Sequence, residues 1–294
     1  MATTQSMTLR DGREVDVFIG GAPNGFALVM HHGSPSDGTA FADWDASCDE
    51  RGLRLICASR PGYATSARLP GRDIAQAAPD TAELLEQLGH REFLVAGASG
   101  GGPHALACGA VLADRCKAVA TLAGVGPFGA SDLDFLSGMA PENVDEFGAA
   151  LKGETALRSW MTEFAEPFRQ VTADDIVEAF GELVAPIDAR VLREGYAEHM
   201  AREVRRALEP GFDGWIDDDI AFTKSWGFDL SGMSVPVTVW QGDLDRMVPA
   251  AHGGWLVDHI PGAEARMVKG HGHISLVTDH RDEILDDLLK DVQG

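Results

Sequence analysis

The chain has 294 residues, with 24 Lys plus Arg against 46 Asp plus Glu, a formal net charge of −22 at pH 7. That balance excludes a nucleic-acid binder, which needs basic surface to displace counterions from phosphates, and a polybasic membrane-surface protein. With 45% hydrophobic and 24% charged residues, the composition is that of a folded globular protein, long enough to bury a core without disulfide or metal staples.

The elements are taken in chain order. Residues 1–16 are polar and carry no apolar signal-peptide core, and no apolar run reaches a membrane-spanning length of about 18 residues. Residues 7–10 and 14–18 flank the turn pair Asp11-Gly12 and predict a hairpin. Short apolar runs then alternate with helix-like stretches. The runs are residues 26–30, 53–58, 93–97, 118–122, 237–240 and 265–268, several of them apolar on both faces, as strands of a doubly covered parallel sheet are. Between them, residues 73–88 place Ala75, Ala78, Ala82, Leu85 and Leu88 at helical spacing. This is the pattern of an α/β fold with an about eight-stranded, mostly parallel sheet and helices on both faces. The alternation stops from 127 to 232, where only helix-like stretches such as 174–183 and 189–208 occur. The expected organisation is a core of 1–126 and 233–294 with a helical cap of 127–232 over the carboxyl ends of the strands, where open α/β sheets bind ligands. The cysteines Cys48, Cys57, Cys108 and Cys116 have no C-x-x-C spacing and read as small buried hydrophobes of a reducing, cytoplasmic compartment.

Gly97-Ala98-Ser99-Gly100-Gly101 matches G-x-S-x-G between a predicted strand and a predicted helix, the context of a nucleophile elbow. The sharp turn needs glycine two residues either side of the serine. The same glycines fit a dinucleotide fingerprint, Gly100-Gly101-Gly102-Pro103-His104-Ala105. That reading requires an acid after the next strand, which ends Thr121-Leu122-Ala123-Gly124. A serine hydroxyl needs a base, and the base an orienting acid. The strand at 237–240 leads into Asp243 and Asp245, and the strand at 265–268 into His271 and His273, giving the chain order Ser, Asp, His. Histidines 31, 32 and 104 read as polar support around this site. No histidine spacing resembles a zinc site, and no motif implies a metal or an organic cofactor.

These motifs make the chain similar to the α/β-hydrolases that carry a helical cap. His31-His32-Gly33-Ser34-Pro35 resembles the family's H-G-x-P loop, and Ser59-Arg60-Pro61-Gly62-Tyr63-Ala64 its R-P-G-Y-G turn. Gly242-Asp243-Leu244-Asp245-Arg246-Met247-Val248-Pro249 resembles its acid loop, and Gly272-His273 its G-H pair. The resemblance implies Ser99 as nucleophile, Asp245 rather than Asp243 as orienting acid, and His273 rather than His271 as base. It implies an oxyanion hole from the backbone N–H groups of Ser34 and Gly100, since Pro35 has no N–H to donate. Relatives that open epoxides or displace halide carry Asp at the elbow, so Ser99 points to attack on a carbonyl and an acyl-enzyme.

The segment 127–232 holds 13 of the 21 aromatic residues, and Trp160 and Phe164 are substrate-pocket candidates on one helix face. It also carries 9 basic against 22 acidic residues, including Asp217-Asp218-Asp219, which reads as a solvated helical face. The expected function is a serine esterase acting on a small or medium apolar ester, a small-molecule substrate, with homo-oligomerisation open. The alternatives are a proline-iminopeptidase-like aminopeptidase, a C–C bond hydrolase, a cofactor-free perhydrolase, and a non-catalytic ligand-binding receptor on the same fold.

Overall fold

The computed structural model describes residues 2–180 and 184–292. One eight-stranded sheet runs in the order β1-β2-β4-β3-β5-β6-β7-β8. The strands are β1 Thr3–Thr8, β2 Glu14–Gly21, β3 Phe26–His31, β4 Leu53–Ala58, β5 Phe93–Ala98, β6 Cys116–Leu122, β7 Val237–Gly242 and β8 Glu264–Val268. Only the β1·β2 and β2·β4 pairs are antiparallel; all others are parallel. The hairpin forms around Asp11-Gly12, with Gly12 at φ 89°, but β1 lies at 3–8 instead of 7–10.

Side chains alternate between the two faces, as strand geometry requires. Val29, Val95, Val119 and Val239 pack on one side with α2 Ala77–Gln87 and α3 Gly101–Val111. Leu28, Met30, Leu94, Ala96 and Ala120 pack on the other with Phe41, Trp44 and Cys48 of the stretch leading into and including α1 Asp45–Glu50. All four cysteines are buried and unpaired. β8, at the sheet edge, is the exception: its side chains are half-buried or exposed.

Between β6 and β7 the described residues contain no strand. The helices there are α4 Pro141–Ala150, α5 Glu154–Trp160, α6 Ala173–Phe180, α7 Pro186–Val191, α8 Ala197–Ala207 and α9 Asp213–Phe222. They have an apolar core of their own, including Leu157, Met161, Ile176, Leu192, Ala201, Leu208 and Ile216. The helix-like stretch 174–183 is helical to Phe180; its last three residues lie outside the described ones. The stretch 189–208 is two helices, because Gly195 at φ 120° interrupts a wide π-type turn between α7 and α8. After β7 come α10 Ala250–His259, α11 His273–Asp279 and α12 Arg281–Leu289. No described helix is long and apolar enough to cross a membrane.

Candidate active site

The parallel register places His31 beside Gly97 and Ala98 beside Leu122, so the loops after β3, β5 and β6 emerge at one edge. Ser99 follows β5 directly and has φ 54°, a left-handed backbone that a non-glycine residue adopts at a cost. Its N–H donates to Leu122 O at 2.9 Å, and its C=O accepts from Gly102 N at 3.0 Å, opening α3. The turn is so tight that a Cβ at Gly97 would sit 2.1 Å from Gly101 O, and one at Gly101 2.0 Å from His31 O. Both positions therefore exclude any side chain.

The loops after β7 and β8 are bound to each other, through Asp243 N to Val268 O and Leu244 N to His271 O. Asp245 is buried. Its Oδ1 accepts from the backbone N–H groups of Met247 and Val248, both at 2.9 Å. Its Oδ2 lies 2.7 Å from His273 Nδ1. That bond places the ring proton on Nδ1 and leaves the Nε2 lone pair free. Burial alone would lower the His273 pKa, but the Asp245 carboxylate and its hydrogen bond outweigh it and raise the value. Asp243 instead accepts from Gly270 N at 2.6 Å, an exposed turn contact, and His271 packs on His280.

Ser99 and His273 line one cavity with Gly33, Ser34, Pro35, Met247 and Ile274. Ser99 Oγ makes no hydrogen bond to the His273 ring among the described residues; contacts of this kind tighten when substrate binds. A Cβ on Gly33 would lie 3.4 Å from Ser99 Cβ, so the β3 loop runs beside the serine. A Cβ on Gly100 would lie 2.8 Å from Ser34 Oγ, which brings residues 34 and 100 together.

The orientation of their N–H groups follows from peptide planarity, since C=O and N–H of one trans unit point in opposite directions. Gly33 O accepts from Arg60 Nη2 at 2.8 Å and from the His32 ring at 2.7 Å, which turns Ser34 N–H away from Arg60. Ser99 O is held by Gly102 N, which turns Gly100 N–H away from α3. Neither N–H has a protein acceptor among the described residues. Burial, with Arg60 adding to it, pushes the His31 pKa down to about 3 and that of His32 well below the ordinary value. Both rings are neutral scaffolding.

A sequence model of the α/β-hydrolase fold matches residues 27–279. The chain belongs to the α/β-hydrolase fold family. It is 28% identical over 293 residues to a non-heme chloroperoxidase of Kitasatospora aureofaciens, covering 96% of this chain and 97% of that one. It is 26% identical over 294 residues to a non-heme haloperoxidase of Rhodococcus erythropolis, covering 98% and 99%. Among solved structures, an esterase of Exiguobacterium antarcticum superposes with a TM-score of 0.71 at 20% identity, over 99% of this chain and all of that one.

Two residues that support this α/β-hydrolase site were not legible in the sequence. Asp188, on α7, is buried and accepts from the backbone N–H groups of His273 at 2.9 Å and Ser275 at 2.8 Å, capping α11. A Cβ on Gly272 would fall 2.1 Å from its Oδ2, so the glycine before His273 makes room for this carboxylate. Asp218, on α9, is fully buried and bound by Arg60 and Arg72, each within 2.7 Å, by Tyr63 Oη at 2.9 Å and by Ser34 Oγ at 2.6 Å.

The run Asp217-Asp218-Asp219 is thus not a solvated face. At about 100° per residue the three carboxylates point in different directions, and all three are buried. Asp217 pairs with Arg68 at 2.8 Å. Burial pushes the Glu146 carboxyl up to about 7, and burial with Glu146 beside it pushes that of Asp219 well above its usual range. Trp160 and Phe164 do lie on one face, with ring centroids 5.6 Å apart, but neither lines the Ser99 cavity, and Phe164 is exposed. The side chains that reach the cavity from this segment are Tyr196, Met200 and Glu203.

Proposed function

We propose that this protein is a serine hydrolase that cleaves a small or medium carboxylic ester with an apolar body through an acyl-enzyme. Segment 127–232 acts as its cap. The observation that carries the reading is the Asp245–His273 pair at 2.7 Å, facing the same cavity as Ser99 on its strained turn. In this reading His273 Nε2 takes the Ser99 proton as Oγ attacks the ester carbonyl. The N–H groups of Ser34 and Gly100 receive the developing negative oxygen, a contribution of about 3–4 kcal/mol per donor in serine hydrolases of this kind. His273 then protonates the leaving alcohol, and water, deprotonated by the same nitrogen, releases the acid. Phe41, Met200, Met247, Ile274 and Val277 supply apolar walls for the ester. The four unpaired cysteines support a reducing, cytoplasmic setting.

Labelling with a fluorophosphonate probe, beside a Ser99→Ala control, tests the reading. Ser99-dependent labelling and turnover of nitrophenyl acyl esters are expected. Folded protein that shows no Ser99-dependent labelling would sink it. The names of the two relatives favour a second reading, capture of the acyl group by hydrogen peroxide to give a peracid, which oxidises halide as it returns to the carboxylic acid. Halide oxidation that requires peroxide, a short carboxylic acid and Ser99 together is its signature.

A further inference from the structure

Residues 196, 200 and 203 follow the i, i+4, i+7 spacing of one helical stripe, so α8 and the residue that caps it present Tyr196, Met200 and Glu203 to the cavity together. Of these, Glu203 is out of place. Its side chain is only 9% exposed, and its Oε2 has no hydrogen-bond partner among the described residues. The cations around it are engaged elsewhere: Arg202, whose charge favours the carboxylate, donates to His199 Nδ1 at 3.3 Å. Arg206, one turn on, is held by Asp16 at 2.6 Å and Asp37 at 2.5 Å. His199 Nε2 stands 3.6 Å from Oε2, but its N–H is directed to Ala40 O at 2.9 Å. Burial, with Asp37 adding to it, pushes the Glu203 carboxyl well above its usual range, and the Ser36 hydroxyl beside it only partly offsets this. Buried carboxyl oxygens without a partner are costly, and they persist where a ligand completes them.

We propose that Glu203 is the specificity-determining residue of the Ser99 cavity, receiving at its carboxyl a hydroxyl or amine that the ester carries away from its reacting carbonyl. The proposal rests on the serine-hydrolase reading and narrows its substrate class. The apolar walls take the body of the ester, and Glu203, with Ser36 and Tyr196 beside it, takes its one polar end. An ester with a methyl group at that end leaves the Glu203 carboxyl desolvated and unpaired. A site with a waiting polar group rejects such an analogue far more strongly than an apolar pocket rejects a change of size.

The test uses three 4-nitrophenyl acyl esters of matched length, ending in hydroxyl, ammonium or methyl, against wild type, Glu203→Gln and Glu203→Leu. Wild type is expected to favour a donor-bearing ester over the methyl ester by roughly tenfold or more in kcat/KM. Glu203→Leu should abolish that preference and melt at a higher temperature, because an unpartnered carboxyl is removed. Glu203→Gln should keep the hydroxyl preference if a neutral acceptor suffices and lose it for the ammonium ester; either pattern identifies which donor is read. Fluorophosphonate labelling of Ser99 with an unchanged substrate ratio in Glu203→Leu would overturn this proposal alone. A lower melting temperature in Glu203→Leu with no change in substrate preference would also overturn it, as the mark of a structural acid. Loss of labelling in wild type would remove the hydrolase reading and this proposal with it.

Discussion

Asp218→Asn keeps the shape of the side chain and removes one charge from a site that water does not reach. Asp218 is 0% exposed, and the two arginines it serves are 5% and 2% exposed. Removing one partner of a buried ion pair costs about 3–5 kcal/mol, because the remaining charge is left without compensation. Here two guanidinium groups lose their counterion, although Arg60 retains the carbonyls of His32 and Gly33. For a chain of this size roughly 2–4 °C per kcal/mol applies, so the melting temperature at neutral pH should fall by about 10 °C. The acid limb gives a second signature. Burial opposes the Asp218 charge, but Arg60 and Arg72 outweigh it and hold the carboxyl well below its usual range. A carboxyl depressed by folding stabilises the native state above its unfolded pKa of about 4, and that contribution is lost as pH falls through the folded value. Wild type should therefore lose stability on acidification below about pH 4 more steeply than the variant. Turnover should fall by about tenfold with little change in KM, since Arg60 and Ser34 Oγ are no longer pinned and the Ser34 N–H drifts from its position. Scanning calorimetry from neutral to acid pH, with ester kinetics alongside, measures all three. A melting temperature within about 2 °C of wild type at neutral pH would refute the argument that this carboxylate locks α9 to Arg60, Arg72 and Ser34.

Ser99→Gly and Ser99→Ala should both be inactive, but the glycine variant should be about 1 kcal/mol more stable, since only glycine adopts φ 54° without strain; equal melting temperatures would remove the strain argument. The acid limb of kcat/KM should lie above the ordinary histidine value of 6.5, because Asp245 outweighs burial at His273, and the residual activity of Asp245→Asn should show that limb moved to lower pH. Asp188→Ala should cost about 1–2 kcal/mol as a lost helix cap and lower kcat more than it raises KM, because the backbone that positions His273 loses its acceptor. An unchanged kcat would separate Asp188 from the catalytic loop.

What the sequence made legible was local. The elbow glycines, the turn pair Asp11-Gly12 and the order of Ser99, Asp245 and His273 at strand ends are short-range patterns. The backbone that requires them lies within a few residues. What it hid was created by packing between segments far apart in the chain. Asp188 meets His273 across 85 residues, and Asp218 meets Arg60 across 158. Nothing in the run Asp217-Asp218-Asp219 announces burial, because the arginines that neutralise it belong to the turn after β4. That contact also needs Gly62 and Gly214, whose backbones meet so closely that a Cβ on Gly214 would sit 2.7 Å from Gly62 C. Helical spacing joined Trp160 to Phe164 correctly but could not show which side of the helix faces the cavity.

Most described acids of residues 127–232 are exposed, but a buried subset of them forms contacts with other segments. Asp188 and Asp218 each enter the core half of the molecule and meet N–H groups or guanidinium groups there, and Asp217 meets Arg68 at the rim. The two kinds of contact respond differently to salt. The Asp218 cluster excludes solvent and its counterions, whereas Arg68 and Arg158 are 25% and 42% exposed and their pairs are screened. Segment 127–232 should stay seated at ionic strengths that dissolve its rim contacts. Three further acids, Glu203, Glu146 and Asp219, are pushed above their usual range by burial, which disfavours their charged forms. The formal charge of −22 thus overstates the potential at the Ser99 cavity. Discrimination by a single carboxyl inside the pocket then matters more for substrate choice than attraction or repulsion at its mouth.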